Sequence, residues 1–334
     1  MISLKLHEAL NMDLHVIDEA LNQVVLTDHD LLQPSIISDS ILRLIRSGGK
    51  RLRPILVITG ARFSADCSSS DLTPADDVIR ISAILEYVHM ASLIHDDIID
   101  RSDLRRNKPT LHKLTNTYTA THIANYMMAR AIEWASVSNN DEVMRIVGAT
   151  SVLTQLCIGE YQQLYNQFNF DMTLEDYLEK TRNKTALLMA NCLKSGAEIA
   201  HADSHTCQLL FDFGECLGMV FQIRDDLLDY TQTTDVIGKP AGSDLLNGHV
   251  TLPVLLALND PLLSTEIRSL HVSSTPEEIQ RIVEFIATSD VMDQSEHLCS
   301  SYIEKARKII HELRDYPAHA DLQTLLNYFT SLRT

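Results

Sequence analysis

The sequence predicts an all-α fold, and three observations carry that prediction. Apolar residues recur at three- and four-residue spacing along most of the chain, and no segment shows the strict alternation of a half-buried strand. Only 11 glycines and 9 prolines interrupt 334 residues, of which 45% are hydrophobic, enough for a substantial core. The interruptions that do occur carry helix-cap chemistry. No repeat period or low-complexity tract divides the chain, so a single domain over residues 1–334 is expected.

The elements follow in order. Residues 3–26 place Leu6, Leu10, Leu14, Ile17, Leu21, Val24 and Val25 at helical spacing, and predict one amphipathic helix rather than a signal peptide. A second helix over 35–46 stops at Ser47-Gly48-Gly49, and Pro54 stands in the first turn of a third that runs to about 63. Thr73, Pro74 and Asp76 open the helix that carries Ile79, Ala83, Tyr87 and Met90 towards residue 100. Residues 101–109 read as a polar loop, 119–136 as a helix, 138–141 as a turn, and 142–167 as a helix bearing Gly159, Glu160 and Gln163.

Thr173 with Asp176 caps the next helix, which holds the unusual mid-helix pair Lys184-Thr185. A long helix over 204–231 precedes the longest loop signal, 233–249, a plausible lid. Shorter helices are expected near 251–259, 262–270, 276–288, 291–315 and 319–331.

Two acidic clusters organise the chemistry. LIHDDIID puts Asp96, Asp97 and Asp100 at the end of an apolar helical run, and FQIRDDLLDY repeats the spacing with Asp225, Asp226 and Asp229. Residues four apart share a helix face, so each trio presents at least two carboxylates together. Like charges so placed cost an isolated helix roughly 0.2–0.5 kcal/mol per pair, so apolar neighbours make sense only beside a counter-cation. One such cluster is compatible with a solvated helix end. Two of them suggest trios facing one another across a cavity and holding Mg2+, which keeps waters and binds through few carboxylates plus phosphate oxygens. The implied ligand is a diphosphate.

Basic residues cluster where that ligand needs them. GGKRLRP supplies Lys50, Arg51 and Arg53 beside glycines at a helix start, and DLRRNKPT supplies Arg105, Arg106 and Lys108 after the first trio. His89 lies two turns before Asp96 on nearly the same face. The formal net charge of −17 argues against nucleic acid or an anionic membrane surface as the main partner. Charged or strongly polar residues interrupt every apolar run before about 18 residues, so no membrane span is expected. Six cysteines form no CxxC pair, and read as buried reduced thiols of a cytoplasmic protein.

With both acidic motifs, GGKRLRP, DLRRNKPT, the KT pair and GKPAGSD in this order, the chain resembles the trans-isoprenyl diphosphate synthase family from about residue 40 to 255. GKPAGSDLLNGHVTLPVLLAL and IGEYQQLYNQFNFD are most similar to the branch whose catalytic components make heptaprenyl diphosphate in bacteria. The resemblance implies an isoprenoid synthase helical bundle around a central cavity, and a Mg2+-dependent prenyltransferase that joins isopentenyl diphosphate to an allylic diphosphate. It implies that Asp96, Asp97, Asp100, Asp225, Asp226 and Asp229 coordinate about three Mg2+ ions on the allylic diphosphate. Arg105, Lys184 and Lys239 would add positive charge there. Lys50, Arg53, His89 and Arg106 would hold isopentenyl diphosphate, while Thr185 and Gln222 would face the developing allylic cation. The implied assembly is a homodimer, or a heterodimer with a small regulatory subunit.

Two positions depart from the family pattern: His249 stands where a lysine is usual before TLP, and Ala124-Asn125-Tyr126 stands for GDY. In this family the fifth and fourth residues before the first motif limit product length, and here they are the small Ala91 and Ser92. One helical turn rises about 5.4 Å, near one extended isoprene unit, so products of about C30 to C35 are expected, with Tyr87 or Trp134 as the residues able to close the tunnel. A class I terpene cyclase would share the fold and the first motif, but the second DDLLD and GGKRLRP oppose it. A regulatory subunit would be expected to lose aspartates that are intact here.

Overall fold

A computed structural model describes residues 5–31, 34–64, 75–136, 143, 145, 152–231 and 241–331. The expected cap at residues 73–74 and the turn at 138–141 lie outside them, as do residues 233–240 of the loop expected at 233–249. The chain divides into two compact units, the first formed by Met1–Ser151, Asn191–Phe211 and Tyr316–Asp321, the second by Val152–Ala190, Asp212–Asp315 and Leu322–Thr334.

In the first unit α1 (Leu6–Ala9) and α2 (His15–Leu26) replace the single helix expected over 3–26. The break has a local cause: Asn11 adopts the left-handed conformation at φ 50°, and the Asp13 carboxylate accepts the His15 N–H at 2.8 Å. Helical spacing of the leucines continues across it, which is why periodicity does not reveal it. α3 (Ile36–Arg46) starts in a reciprocal cap, Ser38 N–H to Ser35 Oγ at 3.2 Å and Ser35 N–H to Ser38 Oγ at 3.0 Å. After a glycine turn comes α4 (Leu52–Ala61), then α5 (Asp76–Ile99).

α5 is the axis of this unit. It buries Ile81, Ala83, Ile84, Leu85, Tyr87 and Val88 on several sides, as a helix surrounded by others must. α2, α4 and α7 (Thr117–Ser136) pack on it. By length and composition α5 would suffice to cross a membrane, which the run of charges did not predict, but 72% of its most apolar stretch is buried inside the protein. The polar loop at 101–109 contains β1 (Leu104–Arg105) and β2 (Lys108–Pro109), a two-residue antiparallel hairpin that was not expected. Arg106 and Asn107 turn it with φ of 52° and 60°, a primed turn too short for any alternation to announce. α6 (Leu111–Leu114) leads into α7. The unit also takes residues 191–199 of a later helix. Gly60 of α4 and Gly196 of that helix allow direct backbone packing: a Cβ on Gly60 would stand 2.0 Å from Leu193 O, and one on Gly196 1.9 Å from Val57 O.

The second unit begins with α8 (Val152–Tyr165) and α9 (Leu174–Thr181), the latter capped by Thr173 and Asp176 as expected. A π-helical turn, Arg182–Ala186, joins α9 to α10 (Leu187–Ile199). α11 (Ser204–Thr231) follows, then α12 (Ser243–Leu246), α13 (Leu252–Ala257), α14 (Pro261–Arg268), α15 (Pro276–Thr288), α16 (Val291–Glu312) and α17 (His319–Ser331). α8 and α9 pack against the π turn, and α13 and α15 against α16. Cys192, Cys207, Cys216 and Cys299 are buried, whereas Cys157 lies on the open face of α8.

Candidate active site

In the first unit the acidic motif and the basic motifs come together. α5 stays helical through Ile99, and Asp100 caps it with its N–H on Asp96 O at 2.8 Å, so Asp96 and Asp100 sit one turn apart, both half-buried. Asp97 is only 7% exposed and accepts from Arg105 Nε at 2.7 Å. Burial raises the Asp97 pKa, against the lowering effect of Arg105. The hairpin thus separates two neighbouring arginines, turning Arg105 back onto the motif and sending Arg106 the other way.

Arg106 reaches the glycine turn before α4, where it donates to Gly48 O. A Cβ on Gly49 would lie 2.8 Å from Arg106 Nη1, so a side chain there would push against the guanidinium. Beyond it are Arg51, 5% exposed, and Arg53, whose Nε is buried without a hydrogen-bond partner. His89 faces this group from α5: its pKa is held well below 6.5, first by burial and then by Arg53, Arg105, Arg106 and Arg51. Burial also lowers the pKa of Arg53, which Glu86 partly opposes, and that of Arg106. Several guanidinium groups around one neutral imidazole form a site for a polyanion, because forked donors match phosphate oxygens and the anion relieves their mutual repulsion. Lys50, Arg53, His89 and Arg106 are thus in one neighbourhood, with Lys50 exposed beside the glycines.

The same unit holds a cavity of about 430 Å³ lined by Val24 of α2 and Thr27 just after it, Ile79 and Arg80 of α5, and Arg130 and Trp134 of α7. Trp134 therefore borders an open space, while Tyr87 is 1% exposed and Ala91 fully buried. Beside α7, Tyr126 donates to Asp28, and Arg130 Nη2 reaches Asp28 Oδ1 at 2.7 Å. Tyr126, the position that matches the family pattern, thus supplies a buried acceptor with a partner, whereas of the two that depart Ala124 is buried and Asn125 exposed.

In the second unit the three aspartates are not equivalent. Asp225 is exposed. Asp226, 2% exposed, accepts from Tyr177 OH at 2.7 Å and from Gln222 Nε2 at 3.0 Å. Burial raises its pKa, opposed first by the charge of Lys180. Asp229 accepts from Ser243 N–H at 3.1 Å, Ser243 Oγ at 2.8 Å and Asp244 N–H at 3.0 Å, and burial with the nearby Asp244 carboxylate pushes its pKa to about 6. Thr185 donates to Gln222 Oε1 at 2.9 Å, so the two residues expected near the allylic cation are bonded to each other and, through Gln222, to Asp226.

Lys184 pairs with Glu160 at 3.0 Å, and α8 approaches it closely because a Cβ on Gly159 would meet Lys184 N at 2.5 Å. The π turn carries Lys184 itself and follows the helix that bears Lys180, the kind of irregular turn that recurs at functional sites. Lys239 lies outside the described residues. His249 is buried, its Nδ1 3.9 Å from Asp244 Oδ1.

Sequence reasoning passed over Arg51, Glu86, Tyr177, Lys180 and Asp244. Arg51 was visible in GGKRLRP but undistinguished from its neighbours, and the others carry no local signal, because only packing brings the buried Glu86, Tyr177 and Lys180 and the half-buried Asp244 beside the motifs. Among the described residues no three carboxylate, imidazole or thiol groups converge as a ready-made metal cage. Each motif by itself nonetheless offers donors of the kind Mg2+ takes: hard oxygens on the half-buried Asp96 and Asp100 in the first unit, and on the exposed Asp225 in the second, suit an ion that keeps its waters and takes few protein ligands.

Comparison with known proteins agrees with this chemistry. The polyprenyl synthetase family model matches residues 34–288. The chain belongs to the polyprenyl synthetase family. It is 36% identical over 319 residues to heptaprenyl diphosphate synthase component 2 of Bacillus subtilis (strain 168), covering 96% of this chain and 88% of that one. The crystal structure of heptaprenyl diphosphate synthase from Staphylococcus aureus superposes with a TM-score of 0.87 at 34% identity, covering 96% and 98% of the two chains. That of a polyprenyl synthase from Caulobacter crescentus CB15, complexed with calcium and isoprenyl diphosphate, gives 0.83 at 29% identity, with 99% and 98% covered. The fold is accordingly the all-α isoprenoid synthase fold, and this polyprenyl synthetase is a trans-prenyltransferase.

Proposed function

We propose that this polyprenyl synthetase condenses isopentenyl diphosphate with an allylic diphosphate, farnesyl or geranylgeranyl, to an all-trans polyprenyl diphosphate of about C30 to C35, with one turn of α5 per isoprene unit. Such chains serve as quinone side chains. The observation that carries the reading is the group of guanidinium side chains around His89, beside Asp96 and Asp100 on one helix. Lys50, Arg53, His89 and Arg106 bind isopentenyl diphosphate in this reading.

The two acidic motifs and about three Mg2+ ions serve the allylic diphosphate, with Arg105, Lys184 and Lys239 adding charge. Bound Mg2+ stabilises the negative charge that develops on diphosphate as the allylic C–O bond breaks. Asp226, Gln222 and Thr185 form a fixed chain of hydrogen bonds, and that chain aims the dipoles of the last two at the developing carbocation. The double bond of isopentenyl diphosphate then forms the new C–C bond, and a proton leaves to the departed diphosphate.

The product length rests on Ala91 and Ser92, both small and buried on α5, and on the heptaprenyl activity named for the relatives. The name "component 2" of the Bacillus relative favours a second reading, in which the chain is a catalytic subunit silent without a small partner. Association of some kind, with a copy of itself or with such a subunit, suits the exposed Ile158, Tyr161, Leu164 and Tyr165 on one face of α8. We also infer one catalytic domain, since the family model runs through both units, and a cytoplasmic location, since the membrane-length helix is a buried core helix.

The test is to incubate the purified chain alone with Mg2+, radiolabelled isopentenyl diphosphate and farnesyl diphosphate, and to size the dephosphorylated products. A Mg2+-dependent ladder ending near C30 to C35 is expected of a self-sufficient enzyme. No product from a folded chain that binds both substrates would favour the two-component reading, and a ladder ending at C20 would overturn the product class.

A further inference from the structure

Arg51 sits between the two residues read as diphosphate ligands, yet the structure sets it to different work. It stands immediately before α4 with φ 48°, a left-handed conformation that a long side chain rarely adopts and that must be held from outside. Its guanidinium does the holding. Nε donates to Asp18 Oδ1 of α2 at 2.9 Å, Nη1 to Glu86 Oε1 of α5 at 3.1 Å, and Nη2 to Ile45 O at the end of α3 at 2.8 Å. Its backbone C=O meanwhile accepts the Ile55 N–H at 3.1 Å and so starts α4.

One residue therefore fixes both ends of the glycine turn at 47–50. The side chain grips the carbonyl where the turn departs, and the backbone sets the helix where it arrives. Lys50 and Arg53 flank this anchor. Glu86, its buried acceptor, lies one turn before His89 on α5, so the same ion pair registers the basic turn against the imidazole. The contrast with Arg53 is chemical: all three nitrogens of Arg51 donate to protein acceptors, whereas Arg53 keeps a buried Nε without a partner.

We infer that Arg51 is a positioning residue for the isopentenyl diphosphate site, acting through Lys50 and Arg53 rather than on the substrate. The inference rests on the reading of that site given above. Arg51→Lys keeps the charge but loses the fork that reaches three acceptors at once. It should raise the KM for isopentenyl diphosphate about tenfold, with the KM for the allylic diphosphate and kcat within about twofold of wild type. Asp18→Asn, at a partner whose side chain is 47% exposed, should give about threefold in the same direction, and decides the matter if Arg51→Lys does not fold.

Combined with Lys50→Ala and Arg53→Ala, Arg51→Lys should add less than about twofold, because nothing remains for it to position. A further tenfold rise in that background would mean direct contact and would overturn the inference. So would an unchanged KM in folded Arg51→Lys, or a parallel loss in kcat and both KM values. If Lys50→Ala and Arg53→Ala themselves leave the KM for isopentenyl diphosphate unchanged, the site assignment fails, and the role of Arg51 fails with it.

Discussion

Asp229 Oδ1 accepts two hydrogen bonds from Ser243, from its backbone N–H at 3.1 Å and its hydroxyl at 2.8 Å, while Oδ2 takes the Asp244 N–H at 3.0 Å. The last aspartate of the second motif thereby fastens the segment that begins α12. Asp225, at the other end of the motif, is exposed. Identical residues in one motif do different things, and the difference is measurable.

Asp229→Ala should lower stability by about 1–2 kcal/mol, the scale of leaving half-buried donors without their acceptor, and be visible in urea unfolding. Asp225→Ala should stay within about 0.5 kcal/mol of wild type, as surface substitutions do, while the Mg2+ concentration needed for half-maximal activity rises. Equal destabilisation by both would contradict the division of labour.

Gly159→Ala tests the approach of α8 to the π turn. The added Cβ would meet backbone, Lys184 N at 2.5 Å, and no rotamer can relieve it. Displacing Lys184, with its ion pair to Glu160, should cut kcat/KM for the allylic substrate by about tenfold or more. Retention of full activity would show that Lys184 tolerates movement.

Ala91→Phe should shorten the product below C30. Ala91 is fully buried on α5, so the ring also costs stability, about 1–3 kcal/mol of overpacking. Product sizing on protein confirmed as folded by thermal melting checks this, and an unchanged ladder would remove Ala91 from the product path.

His89 gives a pH dependence with a definite sign. Its folded pKa lies well below 6.5, because burial and the surrounding arginines oppose a further positive charge. Above about pH 6.5 both folded and unfolded forms are neutral; as pH falls through that value the unfolded chain takes up a proton that the folded one refuses. Stability contributed by this residue is therefore lost on acidification. With 14 histidines in the chain, the comparison must be differential: between pH 7.5 and 5.5, wild type should lose more stability than His89→Gln in chemical unfolding.

The sequence alone determined the all-α class, most helix boundaries and the membership of both acidic motifs, because each depends on spacing within one helix. The reciprocal cap of Thr173 with Asp176 is local too, and it formed; the structure shows the same device at Ser35 and Thr275. What spacing could not convey was the state of each charged group once packed. It treated Asp97 like Asp96, although Arg105 returns through a two-residue hairpin to bond Asp97 at 2.7 Å. It left Arg51 anonymous within GGKRLRP, and Tyr177 and Lys180 unnoticed, 49 and 46 residues before the Asp226 they face. It ran one helix through Asn11, where a single left-handed residue ends it. Periodicity reports which face of a helix is apolar. Which carboxylate keeps an open oxygen, and which arginine keeps a free donor, depends on what arrives from distant elements, and only the tertiary structure decides that.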